Sequence, residues 1–296
     1  MKQLRGNLLL LLTAMIWGAA FVAQSVGMDH VGPYTFLCTR SILGGMVLLP
    51  VIFFREKHAK NTGKQVPSKK RPLILGGIFC GIALFVASAF QQIGIQETTA
   101  GKAGFLTAMY MILVPIVGLF FGKKPGRKTW GAVVVALVGM YLLCLWEGGF
   151  QNINRGDVLE LICALCFTGH ILIIDYFSPK TDGVKMSCIQ FFVCGILAGI
   201  FMFLLEQPSM DAIFSAAAPI LYAGILSSGV GYTLQIVAQK DTDPTVASLL
   251  MSLESVFSLI FGWLLLHEAL SGIELLGCGL MFLAIIWVQL PEKHKS

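Results

Sequence analysis

Residues able to do chemistry are sparse in this chain, and the two that stand out carry opposite charges. Glu254 lies in TVASLLMSLESVFSLIFGWLLLHE (245–268), and Arg40 lies eight residues into an apolar run that begins at Pro33. An ionised side chain among hydrocarbon neighbours is costly unless it is paired or faces water, so each implies a partner or a cavity. Glu254 has three readings: a structural partner of Arg40 or Lys102, a binder of a cationic group, or a carrier of a proton. Arg40 is a cavity or ion-pair residue, since a guanidinium grips a carboxylate in bidentate fashion, or a snorkelling side chain. At helical spacing Ser248, Ser252, Ser255, Ser258 and Gly262 form a small polar stripe that Glu254 borders. The other side of that helix is Leu, Ile, Phe and Val, suited to lipid or to neighbouring helices.

Polar side chains recur on other apolar runs. Ser88, Gln91 and Gln92 share one face, Ser227, Ser228, Gly231, Tyr232 and Gln235 another, and Thr107 and Tyr110 a third that continues through Pro115 and Gly118. Each alone reads equally as interhelical glue or as cavity lining; together they favour a shared cavity. Trp17, Phe21 and Gln24 would add a wall with aromatic character. His170 lies near Cys163, Cys166 and Thr168, either as a packing residue or in a substrate or proton role. It has no second His at i+4, so no metal site and no cofactor are expected. Cys163 and Cys166 form a lone C-x-x-C without the soluble context of a redox motif. All eight cysteines fall in apolar segments, where free thiols act as small hydrophobes.

These side chains need helices to position them. The composition is 56% hydrophobic and 12% charged, which marks an integral membrane protein. The net charge of +5 therefore reports loop placement and implies no nucleic-acid partner. Ten apolar segments are expected, at 7–27, 33–54, 72–95, 98–122, 128–147, 157–177, 185–205, 215–238, 243–266 and 270–290. The basic stretch 55–71 reads as a loop. Placing both termini in the cytoplasm puts 18 of the 21 Lys and Arg on that side. Glu254 reads as the only acid near the middle of a span. Segments 128–147 and 270–290, poor in polar residues, read as an outer wall or a dimer contact.

The chain also repeats. TAMIWGAAFV (13–22) resembles CALCFTGHIL (163–172), with Trp17 over Phe167. At the same shift Arg40 falls over Gln190, and elsewhere Gln92 falls over Gln235 and LFFG (119–122) over LIFG (259–262). Five segments per copy is an odd number, so the second copy enters the membrane from the opposite side. Inverted repeats of this kind place a substrate site near the midplane at their interface.

The ten helices, the repeat, AMIWGAAFV, the midhelix Arg40 and SLESVF followed by LLLHE resemble the drug/metabolite transporter superfamily, EamA-type. Ser255 stands where that family commonly has proline, and Lys123-Lys124 replace an acid that often ends its fourth helix. The resemblance implies secondary transport of small organic solutes. The expected fold class is an all-α integral membrane protein of ten transmembrane helices in two inverted repeats, 1–148 and 149–296, in the plasma membrane. The expected function is alternating-access transport, in the export direction, of an amino acid or similar amphipathic solute. Proton coupling would run through Glu254. The candidate substrate site is Trp17, Arg40, Gln91, Gln92, Thr107, Tyr110, His170, Gln190, Tyr232, Gln235, Ser252 and Glu254. Partners are the solute and the bilayer, with the chain a monomer or homodimer. The alternatives are a membrane-embedded enzyme, disfavoured because Asp175, Asp182 and His170 are scattered and no P-loop or H-E-x-x-H occurs, and a receptor or assembly subunit without flux.

Overall fold

The computed structural model describes residues 2–62, 70–98, 100–144, 154–266 and 271–290, and among these there is no strand. The first half supplies α1 (Lys2–Met28), α2 (Pro33–Thr62), α3 (Lys70–Gly94), α4 (Ala100–Thr107), α5 (Tyr110–Phe120) and α6 (Arg127–Cys144). The second supplies α7 (Arg155–Phe177), α8 (Gly183–Leu205), the short α9 (Met210–Ser215) and α10 (Ala217–Leu221), then α11 (Thr233–Gln239), α12 (Pro244–Met251), α13 (Glu254–Leu266) and α14 (Gly272–Gln289). A π-helical stretch, Tyr222–Tyr232, joins α10 to α11. Starts are marked by residues that satisfy the open backbone amides of a first turn. Asn154 and Asp157 form a capping box on α7, Asp182 caps α8, and Asp243 caps α12 with Pro244 behind it.

Eight helical runs are long and apolar enough to cross a bilayer. They cover eight of the ten segments expected; the other two are α6 and α14, of 18 residues each. Several boundaries differ from the sequence expectation. Helix α2 continues through Arg55 to Thr62, because REKHA is made of good helix formers and two of its side chains reach α8: Arg55 pairs with Asp182 at 3.3 Å and Glu56 with Lys185 at 2.5 Å. Two segments expected as single helices are broken. The 98–122 segment breaks at Ala108–Met109, and the 243–266 segment breaks at Ser252–Leu253, immediately before Glu254. In the second case Ser248, Ser252 and Ser255 each turn the hydroxyl back onto the carbonyl three residues earlier, at 2.7–2.9 Å. Such bonds compete with the α-helical ladder, and Leu253 and Ser255 accordingly donate to carbonyls three residues back. His267 and Glu268, and the junction at 148–149, lie outside the described residues.

Helix packing follows the repeat. Helix α2 lies on α8 and α6 on α14, each with its counterpart in the other half, while α3 on α7 is matched by α1 on the Tyr222–Gln239 run. The α3–α8 crossing is close because Gly77 and Gly81 face Ile189 and Val193: a Cβ on either glycine would come within 2.6 Å of them. The apolar face of α12, suited to lipid or to neighbouring helices, meets helices. Leu249, Leu250, Met251 and Leu253 are all buried, since α12 is enclosed by α1, α5, α6, α7 and α14. Lipid-type surface lies elsewhere, on exposed Phe53, Phe120, Phe203, Leu204, Leu275 and Leu283. The described cysteine side chains are free thiols.

Candidate functional site

Both helix breaks and the π-helical stretch deliver side chains to one cavity between the halves. Its lining includes Trp17, Phe21 and Gln24 from α1, Arg40 from α2, Gln91 from α3, Thr107 and Tyr110 from the two sides of the α4–α5 break, Phe167 from α7, Ser227 and Tyr232 from the π-helical stretch, and Glu254 from the start of α13. Seven of the twelve candidate site residues therefore meet there. The cavity volume is about 20 Å³, enough for a single water and too small for a solute.

The charges are held apart from each other. Arg40, 3% exposed, donates through Nη1 to Gln24 Oε1 at 2.8 Å, and its guanidinium lies 5.9 Å from the Phe36 ring centre. Glu254, also 3% exposed, accepts from the Tyr110 hydroxyl at 2.9 Å. The structural pairings expected for Glu254, with Arg40 or with Lys102, are not formed: Lys102 is bound to Asp157 at 2.6 Å. A cation and an ionisable acid thus face one cavity, each held by a neutral partner.

Tyr232 is the aromatic centre. Its ring lies 4.5 Å from Trp17, 5.6 Å from Phe191 and 5.9 Å from His170. Trp17 comes this near because Gly231 has no side chain; a Cβ there would meet its indole nitrogen at 2.8 Å.

Five candidates sit outside the lining. His170 Nε2 bonds Gln190 Oε1 at 3.1 Å behind the Tyr232 ring. Gln190 holds the repeat position of Arg40, while His170 falls over Ala20, one turn from the position of Gln24. Gln92 reaches the Met28 sulfur at 3.6 Å, Ser252 is used in the helix break, and Gln235 is 1% exposed within the core. Gln92 Oε1, His170 Nδ1, Gln190 Nε2 and Gln235 Oε1 are buried without a hydrogen-bond partner.

Glu254 is not the only buried acid. Glu160, on α7, has no exposed surface and accepts from Thr107 Oγ1 at 2.9 Å, while Gln91 Nε2 donates to the same Thr107 oxygen at 3.2 Å. The sequence signal was present in DVLELICALC, an acid a turn inside an apolar run, but Asp157 beside it makes the segment read as a solvated helix start.

Polar contacts tie the helices together at both ends of the bundle. At the end carrying residues 95–102 and 154–157, Asp157 binds Lys102, the Thr98 hydroxyl and the Asn154 amide, and Glu206 accepts from the Tyr34 and Thr35 amides at 2.8 Å. At the opposite end Lys123 pairs with Asp175 at 2.8 Å, alongside the α2–α8 pairs.

Comparisons with known proteins agree with this architecture. The model of the EamA-like transporter family matches twice, at residues 4–145 and 154–290. An uncharacterized transporter of Archaeoglobus fulgidus is 29% identical over 98% of this chain and 87% of its own length. A Chlamydia muridarum protein named as an S-adenosylmethionine/S-adenosylhomocysteine transporter is 23% identical, covering 93% of this chain and 90% of itself. A solved crystal structure with 17% identity superposes with a TM-score of 0.76 over 96% of both chains, which speaks for the fold. With two family matches spanning both halves, the chain belongs to the EamA-like transporter family and is a multi-pass membrane protein of metabolite-transporter type.

Proposed function

We propose that this protein carries a small zwitterion, an amino acid or an amphipathic derivative of one, out of the cell by alternating access. The observation that carries the reading is the separation of charge: Arg40 and Glu254 line one cavity, and each is bound only to a neutral group. A carboxylate suits the guanidinium, an ammonium suits the acid, and the Trp17–Tyr232 pair suits an apolar body between them. A solute that replaces Gln24 and Tyr110 as the charged groups' partner would satisfy both at once. Two ends closed by different ion pairs suit alternating access, which needs one seal to open while the other holds. The named solutes of the Chlamydia relative are amino-acid derivatives, in keeping with this class. In this reading Glu254 also exchanges a proton when no solute occupies the cavity. The chain sits in the plasma membrane with both termini cytoplasmic.

A thermal-shift screen of the protein amino acids supplies the probe, since a ligand of the folded state raises its melting temperature. Binding of the best one, its amide and its N-acetyl form is then compared on wild type, Arg40→Gln and Glu254→Gln. Wild type should disfavour both neutralised forms by roughly 30-fold, the scale of about 2 kcal/mol for a charge left without its partner. Arg40→Gln should lose discrimination against the amide, and Glu254→Gln against the N-acetyl form. If both variants discriminate among the three ligands as wild type does, the zwitterion reading is defeated in favour of a neutral solute.

A further inference from the structure

We propose that Glu160 is a second proton-binding carboxylate on the transport path, acting at the α4–α5 break opposite Glu254; this rests on the transport reading above. The break has two lips, and each is held by a different acid. Thr107, the last residue of α4, donates to Glu160 at 2.9 Å, and Tyr110, the first residue of α5, donates to Glu254 at 2.9 Å. Only Ala108 and Met109 separate them. Thr107, Tyr110 and Glu254 line the cavity, and Glu160 lies one hydroxyl behind it.

The surroundings of Glu160 exclude a charge partner. It has no exposed surface, it belongs to no ion pair among the described residues, and its Oε1 has no hydrogen-bond partner. The titratable groups near it are Asp157 and Cys163 on its own helix and Glu254 on α13. Lys102 on α4 is committed to Asp157, and Tyr110 on α5 to Glu254. Helix α3 meets it with Gly94, whose added Cβ would come 2.9 Å from Oε1, and reaches it through Gln91 and Thr107. A carboxylate with no cation beside it in such a place is strongly disfavoured, and a proton removes the charge.

The Gln91–Thr107 donor chain serves the carbonyl oxygen of the acid, leaving Oε1 to carry the hydrogen. Asp157 and Lys102 lie one turn towards the bundle end, where they close the route to water. When that end opens, the O–H bond of Glu160 breaks heterolytically and the proton passes to entering water. Nothing is oxidised, and the resulting anion is stabilised by the same water and by Lys102. Closure requires the proton to return. One proton-binding group thus sits on each side of the helix break.

The test uses the purified full-length chain in lipid nanodiscs, with infrared spectra of the carboxylic-acid C=O stretch recorded at neutral and alkaline pH and in deuterated water. At neutral pH the wild type should show a deuterium-sensitive acid band, part of which is missing in Glu160→Gln and a separate part in Glu254→Gln. Thr107→Val keeps the acid and the shape of the side chain but removes its hydrogen bond. It should move the Glu160 component and leave the Glu254 component in place, which answers the question even if Glu160→Gln folds poorly. No acid band missing in Glu160→Gln, or no shift in Thr107→Val, overturns the proposal. The spectra are read without solute, so they stand whichever way the amino-acid binding comparison falls.

Discussion

Replacing Lys102 with methionine should unlock one end of the bundle. Asp157 is 2% exposed and its carboxylate is held by three groups: the Lys102 ammonium at 2.6 Å, the Thr98 hydroxyl at 2.9 Å and the Asn154 amide at 3.0 Å. At an effective dielectric of about 20, the charge pair alone corresponds to about 6 kcal/mol of Coulomb attraction, an upper bound. The Thr98 and Asn154 donors remain in the variant and keep part of that stabilisation. A buried pair that loses one partner typically costs about 3–5 kcal/mol, and the surviving donors argue for about 3. If opening lets Asp157 reach water, the closed state loses about 3 kcal/mol relative to the open one, which is about a hundredfold in the opening equilibrium. Native-state amide exchange reads that equilibrium directly. Backbone amides of residues 100–107 and 155–160 should exchange about a hundred times faster in Lys102→Met, while α2 and α8 near the Glu56–Lys185 pair should be unchanged. Lys102→Arg, which keeps the charge, should show a much smaller effect. Unaltered exchange in α4 and α7 would refute the claim that this ion pair seals the end.

Gly18→Ala should destabilise the fold by about 1–3 kcal/mol, the cost of forcing a methyl into a packed crossing. The new Cβ would stand 2.3 Å from Phe257 Cβ and 2.7 Å from the backbone of α13, so the helix carrying Glu254 would have to move. A melting temperature equal to wild type would show that α1 and α13 do not meet this closely. Lys60→Cys, on an exposed position near the end of α2, should resist an impermeant thiol reagent applied to intact cells and react after permeabilisation. Strong labelling of intact cells would reverse the proposed orientation.

Much of this protein was legible in its residue pattern. Long apolar runs separated by short polar links dictate membrane helices, because every backbone group in hydrocarbon must be satisfied within the helix. The repeat at Trp17/Phe167 and Arg40/Gln190 and the asymmetry of Lys and Arg are likewise properties of composition and order, so Arg40 and Glu254 could be picked out as misplaced charges. What the pattern left open is how each charge is satisfied, since that depends on which helices meet. Arg40 took Gln24 and not Glu254, and Lys102 took Asp157, through contacts between helices far apart in sequence. The helix breaks were hidden for a related reason: Thr245–Leu266 is as good a helix by propensity as its neighbours, and only the back-bonded serines, with α1 and α5 packed beside them, end α12 one residue short of Ser252. Glu160 shows the same limit. One turn from an acid at a helix start, it reads as surface until α3 and α4 close over it and leave Thr107 as its hydrogen-bond donor.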